Sequence, residues 1–295
     1  MSGRALAAAL EYAAAWNGKT VVVKVGGSVL RGGDPGTVPR DLALLHLAGV
    51  RVVVVHGGGP EVSRALERLG IRPTFVNGLR VTDATTLEVV EMVLTGRVNP
   101  RLVARLGAAG APAVGLSGRD GGLLRVRPHP EAERLGFVGQ PERVDPRPLV
   151  TLLEEGFLPV ISPIGAGADG TPYNVNADAV AAAIAPALGA EKLILLTDVP
   201  GVLRDTPEGP ELVSEIDAGG IRRLAAEGVI SRGMVPKVNA CLAAIAGGVA
   251  SAHIVVAAAP HGLLLELFTE EGIGTMIRSG DVAFPRRAVA EGGRR

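Results

Sequence analysis

Aromatic side chains are scarce in this 295-residue chain, at 3% of the whole. That scarcity excludes base-stacking platforms and the aromatic-rich loops of protein-binding surfaces. Cysteine is nearly missing as well. Cys241 stands alone, so no intramolecular disulfide can form and the chain suits a reducing compartment. Net charge is lacking because thirty basic residues cancel thirty acidic ones. Nothing in that balance points to nucleic acid or an anionic membrane, and any anion site must be local. No uninterrupted apolar run approaches the roughly 20 residues of a membrane span. The alanine-rich start could pass for a signal peptide, but Glu11, Tyr12 and Trp16 interrupt it and suit an amphipathic helix better. These absences imply a soluble, cytoplasmic protein, long enough for one large domain or two lobes of ordinary size.

What the chain has in abundance is valine and glycine at strand ends. In Thr20 to Ser28, TVVVKVGGS, four valines flank Lys24 and the run stops at Gly26 and Gly27. A β-branched run closed by glycine predicts a buried strand feeding a tight loop. A cation on such a strand is costly unless an anion meets it, and glycines let backbone amides turn to that same anion. The pattern recurs at Val52 to Val55, which ends in His56, Gly57, Gly58, Gly59 and Pro60. In one parallel sheet, two such ends lie at the same edge, where ligands bind.

Along the chain, helical patterns cover 4–16, 39–49, 60–69, 84–95, 99–109, 147–155, 174–188, 231–248 and 261–268, with one more capped by Asp217 and closed by Gly228. Strands are expected at 111–116, 158–164, 193–196, 254–258 and 275–277. Residues 117–146, rich in Gly, Pro and Arg, predict exposed hairpins of weak register, and 165–170 a loop that marks the lobe boundary. Strands separated by helices indicate an α/β fold, a three-layer αβα sandwich around a mainly parallel sheet.

Two phosphate-loop signatures fail. Gly18, Lys19 and Thr20 would end a Walker motif, but Ala13 occupies its first glycine position. Gly165, Gly167 and Gly170 spell G-x-G-x-x-G, yet Thr171-Pro172-Tyr173 cannot open a helix at once and no acidic ribose ligand follows. Lys24 could simply snorkel from a strand end, although the second glycine loop favours an anion site. His56 reads as a structural hydrogen-bonder rather than a base. Asn174, Asn176 and Asp178 recur every second residue into a helix start, where one alone would cap it; the surplus suggests polar groups aimed at a site. Lys237, beside Pro236 in the first turn of its helix, places a cation where the dipole already attracts anions, or else is a solvated surface lysine. No histidine pairs with cysteine or carboxylate at ligand spacing, so no protein-held metal is expected.

Read together, KVGGS at 24–28, VVHGGGP at 54–60, NGLRVTD at 77–83, VEMVLTGRVN at 90–99, SGRDGGLLR at 117–125, YNVNAD at 173–178, KLILLTDVPGV at 192–202 and GMVPKVNA at 233–240 resemble the N-acetylglutamate kinases of the amino acid kinase family. The likeness spans nearly the whole chain; Lys-x-Gly-Gly is shared widely in the family, whereas NGLRVTD and YNVNAD are more specific. It implies the amino acid kinase fold and ATP-dependent phosphorylation of the side-chain carboxylate of N-acetyl-L-glutamate, with magnesium carried on the ATP phosphates. By matching position, Lys24 and Lys237 would hold the transferring phosphoryl group and Asp178 would hold both lysines. Gly26 and Gly27 would offer amides on the nucleotide side, and Gly58 and Gly59 on the acceptor side. Arg80 would clamp the substrate's other carboxylate, helped by Asn174 and Asn176, with Thr197 and Asp198 at the nucleotide. An ionised carboxylate needs no general base, consistent with none standing out.

The resemblance also implies an N-terminal oligomerisation helix at 1–18, an acylamino-acid lobe at 19–168 and a nucleotide lobe at 169–295. The helix around Tyr12 and the run HGLLLELFTEEGIGTMI at 261–277 look like the arginine-inhibited, hexameric branch, a trimer of dimers. By position, Tyr12, Lys192, His253, Glu266 and Gly272 would line the arginine site. One departure is clear: Val256, Ala257 and Ala258 stand where the family usually has an Asp-Gly-Arg turn. The alternatives are a relative acting on a carrier-linked aminoadipate or glutamate, and a non-catalytic arginine sensor.

Overall fold

The computed structural model describes residues 11, 13–30, 36–230, 233–269 and 272–278. Of the expected first helix, Glu11 and residues 13–16 are helical; the rest, including Tyr12, lies outside the described residues.

The strands, in chain order, are β1 (Thr20–Val25), β2 (Arg51–His56), β3 (Phe75–Val76), β4 (Leu79–Arg80), β5 (Ala113–Ser117), β6 (Leu124–Pro128), β7 (Val138–Val144), β8 (Leu158–Ser162), β9 (Ile164–Ala166), β10 (Pro172–Val175), β11 (Lys192–Thr197), β12 (Leu203–Thr206), β13 (Gly209–Leu212), β14 (Glu215–Asp217), β15 (Ser251–Val256) and β16 (Thr275–Arg278). Eight of them form one sheet in the order β14-β16-β15-β11-β1-β2-β8-β5. Every neighbouring pair is parallel except β15 with β16. Alternate residues of the central strands enter different cores. Val21, Val23, Val52 and Val54 pack on one side, Val22, Val53 and Val55 on the other. Both faces are therefore covered, which is why β1 and β2 are unbroken apolar runs. Helices Val38–Leu47, Gly59–Arg68 and Asn99–Ala108 cover the first face, and Ala177–Ala187 and Val235–Ala246 the second. The three-layer α/β reading is borne out.

Four expectations need correction. Residues 117–146 are not exposed hairpins: β6, β7, β9 and β10 close into a small barrel. Leu124 and Val126 point into it while Arg125 and Arg127 face out, a period-two alternation hidden by the arginines. Gly165 leaves the interior room, since a Cβ there would lie 2.3 Å from Val126 Cγ1. The single strand expected at 158–164 divides into β8 and β9 around Pro163, which has no N–H for the ladder. Asn174 belongs to β10 rather than to a helix, and the helix starts after Asn176. Finally, the helices expected at 84–95 and 99–109 are one continuous rod, Ala84–Val93 and Asn99–Ala108 joined by a π-helical turn at Leu94–Val98.

Candidate active site

In β1 and β2, Val25 pairs with His56, so both glycine loops leave the sheet at the same edge. They pack directly together. A Cβ on Gly27 would come within 2.9 Å of the Gly58 nitrogen and 3.1 Å of that of Gly59, a clash with backbone that only glycine avoids. Beneath the loops lies a cleft of about 280 Å³ whose walls include Lys24, Gly27, Gly58, Gly59, Arg80, Asn174, Asn176, Asp178 and Lys237. Nine residues singled out from the sequence thus share one cavity.

At its floor, Lys24 Nζ lies 2.7 Å from Asp178 Oδ1, and Lys237 Nζ lies 3.4 Å from Oδ2 of the same carboxylate. Burial pushes the Asp178 carboxyl up, but the charges of Lys24 and Lys237 and their hydrogen bonds outweigh it and hold the group below its ordinary value. One carboxylate between two ammonium groups leaves a net positive charge. Asp178 is placed by Asn176, which caps the helix by accepting from the backbone amides of Asp178 at 2.8 Å and Ala179 at 3.3 Å.

Across the cleft, Arg80 is 7% exposed and donates from Nη2 to the Gly59 carbonyl and to Ser63 Oγ, each at 2.8 Å. Phe75 packs over its guanidinium at 4.8 Å. Its Nη1 is buried with no hydrogen-bond partner among the described residues. Asn174 donates to Thr82 Oγ1 at 3.1 Å, tying β10 to the NGLRVTD segment. Ser63 and Phe75 went unmarked because neither carries a pattern of its own: their relation to Arg80 exists only in three dimensions.

Three expected residues stand outside this cleft. The Gly26 amide donates to the Leu196 carbonyl at 3.0 Å, so it is committed to the sheet. Thr197 ends β11 and donates to Asp198 Oδ1 at 3.1 Å. Burial raises the Asp198 carboxyl, while hydrogen bonds from its own backbone, Thr197 and Ser28, with the Lys237 charge, bring it below its ordinary value. His56 is fully buried and held neutral, burial driving its pKa down to about 4. It is a hydrogen-bonder, as expected, and not a base.

A second polar cluster sits away from the cleft. His253 Nδ1 meets Glu266 Oε1 at 2.5 Å and His253 Nε2 meets Ser251 Oγ at 3.0 Å. Glu266 Oε2 accepts from the amides of Ile273 at 2.7 Å and Gly274 at 3.0 Å. Gly272 turns beside it with φ +60°, and a Cβ there would lie 2.8 Å from Oε2. Burial lowers the Lys192 ammonium to about 8 against the attraction of Glu266, and the Lys192 and Lys19 ammonium groups lie 5.2 Å and 5.1 Å from the centre of the Trp16 ring. Lys192, His253, Glu266 and Gly272 are therefore brought together; Tyr12 lies outside the described residues.

Known proteins resemble this chain in sequence and in fold. An acetylglutamate kinase from Thermosynechococcus vestitus is 50% identical over 282 residues, 95% of this chain and 95% of that one. The N-acetylglutamate synthase of Neisseria gonorrhoeae, solved with coenzyme A and N-acetyl-glutamate, is 31% identical with a TM-score of 0.84, covering 96% of this chain and 65% of that one. The same synthase solved with coenzyme A and L-arginine is 29% identical with a TM-score of 0.78, covering 94% of this chain and 66% of that one. Residues 19–256 match the amino acid kinase family, and on that match the chain belongs to the amino acid kinase family.

Proposed function

We propose that this chain transfers the γ-phosphoryl group of ATP to the side-chain carboxylate of N-acetyl-L-glutamate, giving the acyl phosphate. The observation that carries this reading is the placement of Lys24 and Lys237 on one carboxylate in a cleft faced by Arg80. Phosphoryl transfer to a group already ionised asks for alignment and charge neutralisation rather than proton removal. Lys24 and Lys237 suit the charge on the transferring group, and Asp178 fixes their spacing. Gly58 and Gly59 face the acceptor side. The unpartnered Nη1 of Arg80 suits the substrate's second carboxylate, with Asn174 and Asn176 alongside. Gly27, Thr197 and Asp198 are assigned to the nucleotide side, with Gly26 shaping the loop there because its amide is already bonded to Leu196, and the two sides to lobes 19–168 and 169–295. Magnesium is assigned to the nucleotide's phosphates; among the described residues no group of three or more His, Cys, Asp or Glu is placed to hold a metal, and no step is routed through one.

Arginine is the proposed feedback inhibitor, at Tyr12, Lys192, His253, Glu266 and Gly272, in a hexamer built as a trimer of dimers. The arginine complex of the synthase and the buried carboxylate of Glu266 beside His253 and Lys192 support this. A cytoplasmic setting agrees with the single, buried Cys241, and among the described residues no helix is long and apolar enough to cross a membrane.

The test is acyl phosphate trapped with hydroxylamine, with N-acetylglutamate set against glutamate, aspartate and aminoadipate. N-acetylglutamate is expected to be turned over best, and Lys24→Ala and Lys237→Ala each to lose about a hundredfold or more in kcat. Unchanged rates in both variants would refute the site.

A further inference from the structure

The π-helical turn at Leu94–Val98 is the one interruption in the long rod from Ala84 to Ala108. Such turns are costly and cluster at functional sites. Its effect here is to press on the acceptor-side glycine loop. A Cβ on Gly58 would sit 2.4 Å from Leu94 Cδ2 and 3.3 Å from Val98 Cγ2. Directly after the turn comes Asn99, 4% exposed. Its Nδ2 lies 2.9 Å from the Val160 carbonyl and 3.4 Å from that of Leu116. Carbonyls only accept, so these contacts fix which end of the amide points at them. Gly115 makes the space, because a Cβ there would lie 2.0 Å from Asn99 Oδ1.

The same Nδ2 is 3.2 Å from His56 Nε2. That ring nitrogen must then accept, and the neutral imidazole carries its hydrogen on Nδ1. Nδ1 donates to the Gly57 carbonyl at 2.9 Å, while the Gly57 amide donates to Val25 at 2.8 Å. Both backbone groups of Gly57 are thus pinned, one by the sheet and one by a relay that begins in the rod.

We propose that Asn99 and His56, set in place by the π turn, are positioning residues that orient the Gly57–Gly59 loop towards the reacting carboxylate. The inference rests on the phosphotransfer reading given above. Neither residue touches the substrates; the relay acts through the direction of the Gly57 peptide and hence of the two glycines that follow it.

Substitution at His56 separates positioning from packing. Asn places an amide N–H near the Nδ1 position and keeps the bond to Gly57; Gln places its amide near Nε2 and loses that bond; Leu loses both. In the hydroxylamine assay, His56→Leu and His56→Gln are expected to lose about a hundredfold in kcat, with the KM for ATP within about twofold of the parent. His56→Asn is expected to recover most of that loss. Nitrogen-15 spectra of the full chain should show His56 as the Nδ1–H tautomer, converted to no other form by binding of ATP alone. Should His56→Leu not fold, Leu94→Ala, which removes the packing against Gly58 and also opens one wall of the cleft, is likewise expected to lower kcat at unchanged KM for ATP. Folded His56→Leu or Leu94→Ala with a kcat within twofold of the parent overturns the proposal, as does an Nε2–H tautomer. A parent chain inactive on every acceptor would instead overturn the phosphotransfer reading.

Discussion

Two buried residues beside the cleft respond to acid in different pH windows, and their signs can be worked out from their surroundings. His56 has a folded pKa near 4 against an ordinary 6.5, because burial penalises its charged form. Below pH 6.5 the unfolded chain takes up a proton that the folded chain refuses, so stability falls from 6.5 down to about 4. The difference is worth up to about 3 kcal/mol. Asp178 is held below 3.8 by its two lysines; its contribution is complete above that value and is lost only as pH falls through the lower folded one. Urea unfolding between pH 7 and pH 4.5 should therefore show a declining free energy that His56→Asn flattens in part. His253 and His46, also lowered by burial, add to the remaining slope, and Asp41, raised by burial, opposes it. An unchanged slope in the variant would show that His56 is not held neutral in the folded chain.

At the scale of elements, the parts legible in the sequence were those whose pattern is local. The valine runs of β1 and β2, their glycine ends and the cap at Asp217 are all where residue type alone puts them. The barrel was not legible, because its closure depends on β6 pairing with β7 across a helix at Ala132–Leu135 and on β9 joining β10 after Pro163. Nor was the π turn, since LTGRV differs from an ordinary helix only in what it packs against. Cleft residues spaced along one segment, Asn174 to Asp178, could be grouped by eye; Phe75 in the cleft, and Ser63 and Asn99 behind it, could not. The barrel's grip on the cleft runs through Gly136. Thr82 donates to Leu135 at 2.8 Å and accepts from Phe137 at 2.7 Å, and Thr82 Oγ1 in turn receives Asn174. Gly136 has φ +68°, and a Cβ there would lie 2.3 Å from the Thr82 carbonyl oxygen. Gly136→Ala must therefore move backbone, at a cost of about 2 kcal/mol or more. It is also expected to raise the KM for N-acetylglutamate while sparing that for ATP, given the proposed role of Asn174 beside the acceptor. Thermal melting and steady-state kinetics on the same sample check both halves.

Over the whole molecule, the cleft and the Glu266 cluster sit at opposite ends of the same strands. Lys192 opens β11 and Thr197 closes it; five residue steps in a strand span roughly 17 Å. A ligand at Lys192 would on this spacing lie well away from the acceptor bound between Lys24 and Arg80. An effect of arginine on rate from that distance would pass through differential binding to two conformational states of the protein. The charge balance names the residue to alter. Glu266 accepts from two backbone amides and from His253, all of which a neutral amide oxygen can partly satisfy, whereas a guanidinium needs the carboxylate. Glu266→Gln should therefore lose inhibition by at least about tenfold in arginine concentration, a coupling of the usual size, while its rate without arginine stays within about twofold of the parent. A chain lacking residues 1–17 removes Trp16, which packs beside Lys192, and should lose inhibition by the second route. Inhibition curves that coincide for the parent, Glu266→Gln and the shortened chain would mean that arginine acts elsewhere or not at all. The cluster would then be a structural tie between β15 and the helix Gly262–Phe268, and the transfer chemistry of the cleft would be untouched.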